Sequence, residues 1–157
     1  MFASSPNPND AAVILFTSGT EGDPKGVVLS HKNIVANVHQ VLAHVPEALG
    51  LDDVLFNPLP TFHCFGLTAG ALLPLLGGMK SVLHPSPLQT KIIPKRVEET
   101  GATILFATDT FLNQYIRACA DDELGKLRFA VCGAERVRDE TRQLVRRRFN
   151  VELLEGY

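Results

Sequence analysis

The chain has 157 residues, of which 45% are hydrophobic and 20% charged, and its formal net charge is −2. This length allows one domain with a hydrophobic core, and the composition is ordinary for a soluble globular protein. The slightly negative charge argues against a nucleic-acid-binding protein. The cysteines Cys64, Cys119 and Cys132 are far apart, which argues against a disulfide framework or a zinc site and favours free thiols in a reducing cytosol.

The ends of the chain and its longest apolar stretch indicate the domain organisation. Residues 1–10 are small, polar and proline-rich, so we expect a flexible lead-in before a domain covering residues 11–157. No basic segment followed by an apolar one opens the chain, so a signal peptide is not expected. Phe65 to Met79 is too short to span a bilayer and contains Pro74, and it predicts a buried helix.

The most informative stretch runs from Phe16 to Val27. The apolar runs on either side predict the two strands of a hairpin. Glycines in the loop let backbone N–H groups approach a ligand, hydroxyls donate hydrogen bonds, and Lys25 adds a positive charge. The loop therefore predicts a phosphate site. A Walker A loop is excluded because Gly26 and β-branched residues follow Lys25 where Ser or Thr and a helix are required, but an ordinary hairpin turn remains an alternative.

Helices and strands are predicted to alternate after this hairpin. Ser30 is a good N-cap for the first helix, and glycine or proline closes most of the elements. In chain order we expect helix His31 to Val45, strand Asp53 to Leu59, helix Leu67 to Leu76, strand Lys80 to Leu83, helix Ile92 to Thr100, strand Ala102 to Ala107, a helix capped by Asp109 or Thr110 and ending near Ala120, strand Leu127 to Cys132, helix Arg136 to Arg148, and strand Val151 to Leu154.

Strict alternation of helices with mostly apolar strands predicts a fold of the α/β class. We expect a three-layer αβα, doubly wound, mostly parallel sheet, preceded by the phosphate-loop hairpin. In such sheets ligands bind at the carboxyl ends of the strands. The informative loops all follow strands, so we expect them to face one nucleotide-type site; they span residues 17–25, 61–66, 133–135 and 155–157.

Phe16 to Val27 resembles the phosphate loop of the adenylate-forming enzymes, which include acyl-CoA synthetases, luciferases and the adenylation domains of peptide synthetases. The resemblance implies that the chain binds ATP with Mg²⁺. Most family members carry Thr where this chain has Glu21, a change that adds a negative charge beside the triphosphate. The implied nucleotide-binding residues of the loop are Thr17, Ser18, Gly19, Thr20, Glu21, Gly22 and Lys25.

Leu59 to Gly66 resembles the second core motif of fatty acyl synthetases and luciferases. The resemblance implies that His63 lies beside the reacting carboxylate, that Phe65 and Gly66 belong to the acyl pocket, and that Lys25 and His63 are the catalytic residues. The alternative for His63 is a loop histidine that caps a helix or binds a backbone carbonyl.

Gly133-Ala134-Glu135 resembles the family segment that lies along adenine, and Tyr157 resembles the tyrosine that stacks on it. An ordinary strand-to-helix turn at Gly133 remains an alternative. The resemblance covers residues 11–157, the central part of a much longer enzyme. The sequence stops before the family's later phosphate, magnesium, ribose and C-terminal lysine motifs, so we expect the isolated chain to fold but not to catalyse.

Three stretches carry a narrower resemblance, to the acyl–acyl carrier protein synthetase half of bifunctional 2-acylglycerophosphoethanolamine acyltransferases: Phe16 to Gly26, Pro85 to Leu88, and Cys132 to Glu135. It implies a ligase that forms acyl-AMP from a fatty acid and passes the acyl group to acyl carrier protein in phospholipid recycling, in the cytoplasm or on the cytoplasmic face of the inner membrane. The alternatives are a fatty acyl-CoA synthetase that uses coenzyme A, a nucleotide-binding module without catalysis, and a scaffold that binds only a partner.

Residues 136–148 carry six arginines against Asp139 and Glu140. The simple interpretation is a solvated helix face with Val137, Leu144 and Val145 buried. The alternative is a docking patch for an acidic carrier protein or for lipid headgroups.

Overall fold

The computed structural model describes residues 7–17, 23–45, 49–120 and 122–156. The chain divides into two compact units, residues 1–48 and 49–157. In the first unit, strands β1 (Ala11–Thr17) and β2 (Lys25–Ser30) form the expected antiparallel hairpin. Helix α1 (His31–His44) follows, and the Ser30 and Asn33 side chains form a capping box at its start. The amides of His31 and Lys32 bond the carbonyls of Asp10 and Pro8, so part of the expected flexible lead-in contacts α1.

The second unit holds a parallel sheet of five strands within the described residues. The spatial order is β4-β3-β5-β6-β7, which confirms the α/β class. The strands are β3 (Val54–Asn57), β4 (Lys80–Leu83), β5 (Ile104–Ala107), β6 (Phe129–Gly133) and β7 (Glu152–Gly156). The helices are α2 (Cys64–Leu67), a π-helical turn (Thr68–Leu72), α3 (Leu73–Gly77), α4 (Ile93–Thr100), α5 (Asp109–Ala118) and α6 (Asp139–Phe149).

The main hydrophobic core lies between one face of this sheet and helices α4, α5 and α6. Phe56, Leu105 and Ala130 from the strands pack with Val97, Ile116 and Val145 from the helices. Tyr115 of α5 is fully buried, and its hydroxyl donates a hydrogen bond to the Pro87 carbonyl, 2.9 Å away. This bond attaches the loop after β4 to the core. The opposite face of the sheet contacts the α2 segment, where the rings of Phe65 and Phe106 lie 5.5 Å apart.

The predicted buried helix from Leu67 to Leu76 needs two corrections. Helical structure begins earlier, at Cys64, because the His63 side chain caps it, so the last residues of the expected loop are helical. The helix is also less buried than expected, since Leu75 and Leu76 are 74% and 52% exposed. Within the described residues, no helix is long and apolar enough to cross a membrane.

Two helix starts also differ from expectation. Helix α5 is capped by Thr108, whose side chain accepts from the Phe111 amide, and not by Asp109 or Thr110. Helix α6 starts at Asp139 and not at Arg136. The amides of Val137 and Arg138 instead donate to the carboxylates of Glu155 and Asp109, which keeps this part of the chain out of the helix.

The amino ends of β3, β5 and β6 are joined by one polar cluster. The Asp53 carboxylate, 3% exposed, accepts two 2.8 Å hydrogen bonds from Arg128 Nη1 and one of 2.7 Å from the Thr103 hydroxyl. Burial alone would raise the pKa of Asp53, but the bonds from Thr103, the Gly50 amide and Arg128 outweigh it and lower that pKa below its ordinary value. Asp53 is therefore a buried, ionised and fully partnered carboxylate.

Candidate functional site

The hairpin presents the two ends of the predicted phosphate loop to solvent. Thr17 ends β1 and Lys25 begins β2, and they are paired residues in the ladder. The Thr17 hydroxyl lies 3.5 Å from the Lys25 carbonyl oxygen, and both residues are exposed. Ser18, Gly19, Thr20, Glu21 and Gly22 lie outside the described residues, so their nucleotide contacts stay a prediction.

His63 is the N-cap of α2, as the simpler interpretation of this residue expects. Its Nδ1 accepts from the Phe65 amide at 3.3 Å and lies 3.7 Å from Cys64 Sγ. A neutral ring that accepts at Nδ1 carries its proton on Nε2. Because His63 is exposed, Nε2 can donate to an oxygen atom of a ligand. The capping bond therefore orients the ring through Nδ1 and leaves Nε2 available for chemistry. The helix-cap interpretation and the functional interpretation of His63 are thus compatible.

Phe65 and Gly133 bring two of the predicted motifs together. A Cβ atom on Gly133 would lie 3.0 Å from the Phe65 ring and 2.7 Å from the Gly156 carbonyl oxygen. Gly133 also pairs with Gly156 in the ladder between β6 and β7. The segments 61–66, 133–135 and 155–156 therefore meet at the carboxyl edge of the sheet, as expected for the three loops of the second unit. Tyr157 lies outside the described residues, so its stacking role stays a prediction.

The segment after β6 has an unusual backbone conformation. Ala134 has φ +67°, a left-handed conformation that favours glycine. The next residue, Glu135, fixes this turn, because its carboxylate accepts from the Thr110 amide at 2.8 Å and from the Thr110 hydroxyl at 2.9 Å. Burial would raise the pKa of Glu135, but hydrogen bonds from Thr108 and Thr110 lower it on balance. The Glu135 side chain thus holds the turn against the start of α5, while the Ala134 residue itself is exposed.

Two further carboxylates hold the linker between β6 and α6. Asp109, 2% exposed, accepts from the backbone amide and the Nε of Arg138, at 3.1 and 2.5 Å. Burial acts to raise its pKa, but hydrogen bonds from Thr141 and Arg138 lower it overall. Glu155 accepts from the Val137 amide at 3.1 Å and faces Arg142 at 3.4 Å. Sequence patterns identified neither role, because each partner lies on a different element.

Asn57 is another residue that the motifs did not single out. It ends β3, is 1% exposed, and lies between the strand and the loop that carries His63. Its side-chain nitrogen donates to the Gly66 carbonyl at 3.1 Å, and its side-chain oxygen accepts from the Leu59 amide at 3.0 Å. A polar residue that directly follows an apolar strand, Val54 to Phe56, is the sequence signal that could have found it.

The arginine-rich segment divides into bound and exposed residues. Arg138 binds Asp109, Arg142 binds the Leu153 carbonyl and Glu155, and Arg148 donates to the carbonyls of Ile116 and Cys119. Arg146 and Arg147 are exposed on the last turns of α6 and form no ion pair with any described residue. Val137 and Val145 are buried as expected, whereas Leu144 is half-buried. Much of the arginine charge is therefore used to hold α6 in place.

Potential metal ligands and the cysteine thiols do not form a cluster within the described part of the chain. Residues 7–17, 23–45, 49–120 and 122–156 contain no group of three or more His, Cys, Asp or Glu side chains arranged to hold an ion. The three cysteines are free. Burial raises the pKa of the Cys119 thiol to about 11 and that of the Cys132 thiol to about 12, so these two thiols stay protonated at neutral pH.

Comparison with known proteins gives a family match over almost the whole chain. The model of the family described as AMP-binding enzyme matches residues 2–157. Among curated proteins, the medium-chain fatty-acid–CoA ligase of Escherichia coli strain K12 is 36% identical over 128 residues, which are 80% of this chain and 22% of the ligase.

Solved structures of similar fold include ligases captured with nucleotide or adenylate. A fatty acyl-adenylate ligase from L. pneumophila, in complex with acyl adenylate and pyrophosphate, superposes with a TM-score of 0.78 at 26% identity, covering 94% of this chain and 27% of that one. ATP-bound MatB from Rhodopseudomonas palustris gives a TM-score of 0.80 at 26% identity over 99% of this chain and 30% of that one. The chain thus spans less than a third of the length of these proteins.

Proposed function

Since the chain belongs to the AMP-binding enzyme family, we propose that it supplies nucleotide- and acyl-binding parts of a ligase that activates a fatty acid with ATP. A carboxylate oxygen of the fatty acid attacks the α-phosphorus of ATP, the bond from that phosphorus to the bridging oxygen breaks, and pyrophosphate leaves with the electron pair. A thiol then loses its proton and attacks the acyl carbonyl, the bond from that carbon to the phosphate oxygen breaks, and AMP leaves with the electron pair. The observation that carries this proposal is the meeting of segments 61–66, 133–135 and 155–156 at one edge of the sheet.

We propose a division of labour for this reaction, in which the phosphate contacts rest on the sequence resemblance alone. His63 Nε2 donates to the carboxylate or to the adenylate formed from it, and Phe65 lines the acyl side of the site. The backbone at Gly133 and Ala134 offers a flat surface for adenine, and Glu135 holds that backbone through Thr110. Thr17 and Lys25 bind phosphate oxygens together with residues 18–22. Such positioning and charge neutralisation account for most of the rate enhancement in reactions of this type.

Magnesium belongs to this proposal through the nucleotide. Mg²⁺ in nucleotide sites is commonly held by substrate phosphates and one or two carboxylates. The described residues contain no group of three or more metal-binding side chains, so the phosphate oxygens of ATP would supply most ligands of the ion.

The test is fatty-acid-dependent exchange of pyrophosphate into ATP by the full-length protein. We expect exchange that requires a fatty acid and that falls about a hundredfold in Lys25→Ala, because a charge facing the phosphates is lost. Lys32→Ala is the matched control, since Lys32 is an exposed lysine on α1 outside the loop, and it should retain activity. We expect no exchange from the 157-residue chain alone. No exchange by the full-length protein with short, medium or long fatty acids would instead favour a nucleotide-binding module.

For the acyl acceptor we propose coenzyme A, which the name of the E. coli relative specifies for that protein. Acyl carrier protein is the second candidate, favoured by the narrower sequence resemblance and by the exposed Arg146 and Arg147, which an acidic protein would complement. Acyl transfer to each acceptor separates the two. If the carrier protein is used, the double change Arg146→Glu with Arg147→Glu should raise its KM at low salt, whereas Arg96→Glu, on α4, should not.

We place this activity in the cytoplasm or on the cytoplasmic face of a membrane, because the free cysteines fit a reducing compartment. Fractionation of cells that express the full-length protein, at low and high salt, distinguishes a membrane-bound from a freely soluble enzyme.

A further inference from the structure

We propose that Asn57 is a positioning residue that fixes the His63 loop to the sheet and so sets the place of the His63 ring. The residue binds both ends of that loop: its oxygen accepts from the Leu59 amide and its nitrogen donates to the Gly66 carbonyl. The eight residues from Leu59 to Gly66 therefore begin and end on one buried side chain. Because Asn57 is 1% exposed, it acts through the loop and not by touching the substrate.

Two glycines make this contact sterically feasible. A Cβ atom on Gly66 would lie 2.1 Å from the Pro60 carbonyl oxygen, and one on Gly70 would lie 2.0 Å from the side-chain nitrogen of Asn57. Real Cβ atoms do not approach so closely, so any other residue at either position would push the helical segment away from the end of β3. The Asn57 amide can therefore bind Gly66 only because glycines at positions 66 and 70 let the helical segment lie close to the end of β3.

A second side chain anchors the same segment from the neighbouring strand. The Ser81 hydroxyl of β4 donates to the Gly70 carbonyl at 3.3 Å. Gly70 lies inside the π-helical turn Thr68–Leu72, a wider turn that is rare and frequently found at functional sites. The adjacent parallel strands β3 and β4 therefore bind the carbonyls of Gly66 and Gly70 in one irregular helical segment. Contacts from two different strands fix the position of that segment.

The contacts of His63 connect this anchor to chemistry. Its Nδ1 accepts from the Phe65 amide and its carbonyl accepts from the Leu67 amide, so the ring is oriented by the first turn of α2. Gly66 belongs to that turn, and Asn57 fixes Gly66. Loss of the Asn57 donor would let the turn shift, and a shift of about 1 Å in a catalytic group can cost about a hundredfold in rate.

The test compares two buried asparagines in the full-length protein. Asn57→Asp and Asn57→Ala both remove the donor to Gly66. Asn113→Asp is the matched control, because Asn113 is 7% exposed and its amide donates to Thr141 and accepts from Arg117, on the α5–α6 side of the sheet. Ser81→Ala removes the second anchor. Because Ser81 lies on the more exposed strand β4, this change should cost little stability, and it is informative even if both Asn57 variants fail to fold.

Two readouts distinguish positioning from general destabilisation. We expect both Asn57 variants to lower the kcat of fatty-acid-dependent exchange by about tenfold or more while the KM for ATP changes less than about twofold, and Ser81→Ala to act in the same direction more weakly. Hydrogen exchange of the Phe65 and Leu67 amides should accelerate in the same variants. Asn113→Asp should change neither readout.

The proposal is overturned if the Phe65 and Leu67 amides keep their protection in the variants that fold, or if these amides loosen without loss of kcat. It rests on the proposed function for its kinetic arm only. If the unmodified protein shows no exchange with any fatty acid, the proposed ligase function has failed, and hydrogen exchange still decides whether Asn57 anchors the loop.

Discussion

The two ends of the parallel sheet use polar side chains in different ways. At the amino end, Asp53, Thr103 and Arg128 bind one another, and the buried carboxylate has all its partners within the chain. At the carboxyl end, Asn57 binds backbone groups at both ends of the His63 loop, and Glu135 binds the amide and hydroxyl of Thr110 at the start of α5, while His63 and Ala134 remain exposed. The amino end therefore stabilises the sheet, whereas the carboxyl end fixes loops and leaves reactive groups accessible.

This difference has a simple physical origin. A buried carboxylate is stable only when its hydrogen bonds are satisfied within the protein, which leaves no acceptor for a ligand. A side chain outside a loop that binds the loop's backbone, as Asn57 does, can hold the loop without using the loop's own side chains. Changes at the amino end should therefore act on stability, and changes at the carboxyl end should act mainly on activity.

The largest expected effect is on stability, from Asp53→Ala. Removing the carboxylate breaks charge-assisted hydrogen bonds from the Thr103 hydroxyl, the Gly50 amide and the half-exposed Arg128, which should lower the free energy of unfolding by about 3 kcal/mol. Urea denaturation of the chain measures the change. Arg96→Ala, which breaks the exposed Arg96–Glu99 pair, is the control and should have little effect. Equal effects of the two changes would contradict the assignment of Asp53 as a structural anchor.

A second substitution at this position, Asp53→Asn, tests the pH dependence of the same contribution. The folded pKa of Asp53 lies below its ordinary value of 3.8, so its ionised form contributes stability above about that pH, and the contribution is lost as the pH falls through the folded pKa. The difference in unfolding free energy between the unmodified chain and Asp53→Asn should therefore be full at neutral pH and shrink below pH 3.8. A difference that grew on acidification would mean that folding raises the pKa of Asp53 instead of lowering it.

A smaller stability effect with a larger effect on activity is expected from Gly133→Ala. The new methyl group would lie 2.7 Å from the Gly156 carbonyl and 3.0 Å from the Phe65 ring, so β6, β7 and the loop must move apart, at a cost of about 2 kcal/mol. Exchange activity should fall because the proposed adenine surface is displaced. Gly156→Ala is the control for stability across the same ladder and should be less destabilising, because its methyl group would meet Val131 at an ordinary 3.4 Å. Full activity in Gly133→Ala would remove this segment from the site.

The smallest effect is expected from Ala134→Gly. Glycine adopts the left-handed conformation at φ +67° more readily than alanine, but it also gains entropy in the unfolded chain, so we expect a net stabilisation of about 0.5 kcal/mol. Thermal unfolding measures it. Gly101→Ala tests the reverse change at φ +65°, where no atom lies within 4 Å of the new methyl group, and should destabilise the chain. A destabilised Ala134→Gly would mean that the alanine methyl group makes a contact of its own.

Local sequence patterns predicted the elements whose ends are set by local chemistry. The strand Lys80–Leu83 has the predicted bounds, and helix α4 ends at Gly101 as expected, because a left-handed glycine closes it. The starts of α5 and α6 were wrong because polar groups there bind partners 18 to 29 residues away. Such partners leave no periodic trace in the sequence.

The candidate site shows the same limit. The rule that loops after parallel strands share one edge correctly grouped segments 61–66, 133–135 and 155–156. The capping of α2 by His63 was foreseen as an alternative, since it depends on a residue only two positions away. The roles of Asp109 and Glu155 could not be predicted, because each depends on which strands become neighbours. Asn57 binds residues only two and nine positions away, and its place at the end of an apolar strand was the signal that could have identified it. For residues 18–22 and Tyr157 the sequence resemblance is still the basis of the prediction.

The bond between Tyr115 and Pro87 also makes this chain convenient for spectroscopy. The sequence has no tryptophan and only two tyrosines, Tyr115 and Tyr157, so near-ultraviolet absorption above the phenylalanine bands comes from these two rings. Tyr115 is fully buried and hydrogen-bonded to the loop after β4, and burial raises the pKa of its hydroxyl above the ordinary value. Its circular dichroism and its resistance to ionisation in alkali therefore report directly on whether that loop stays docked.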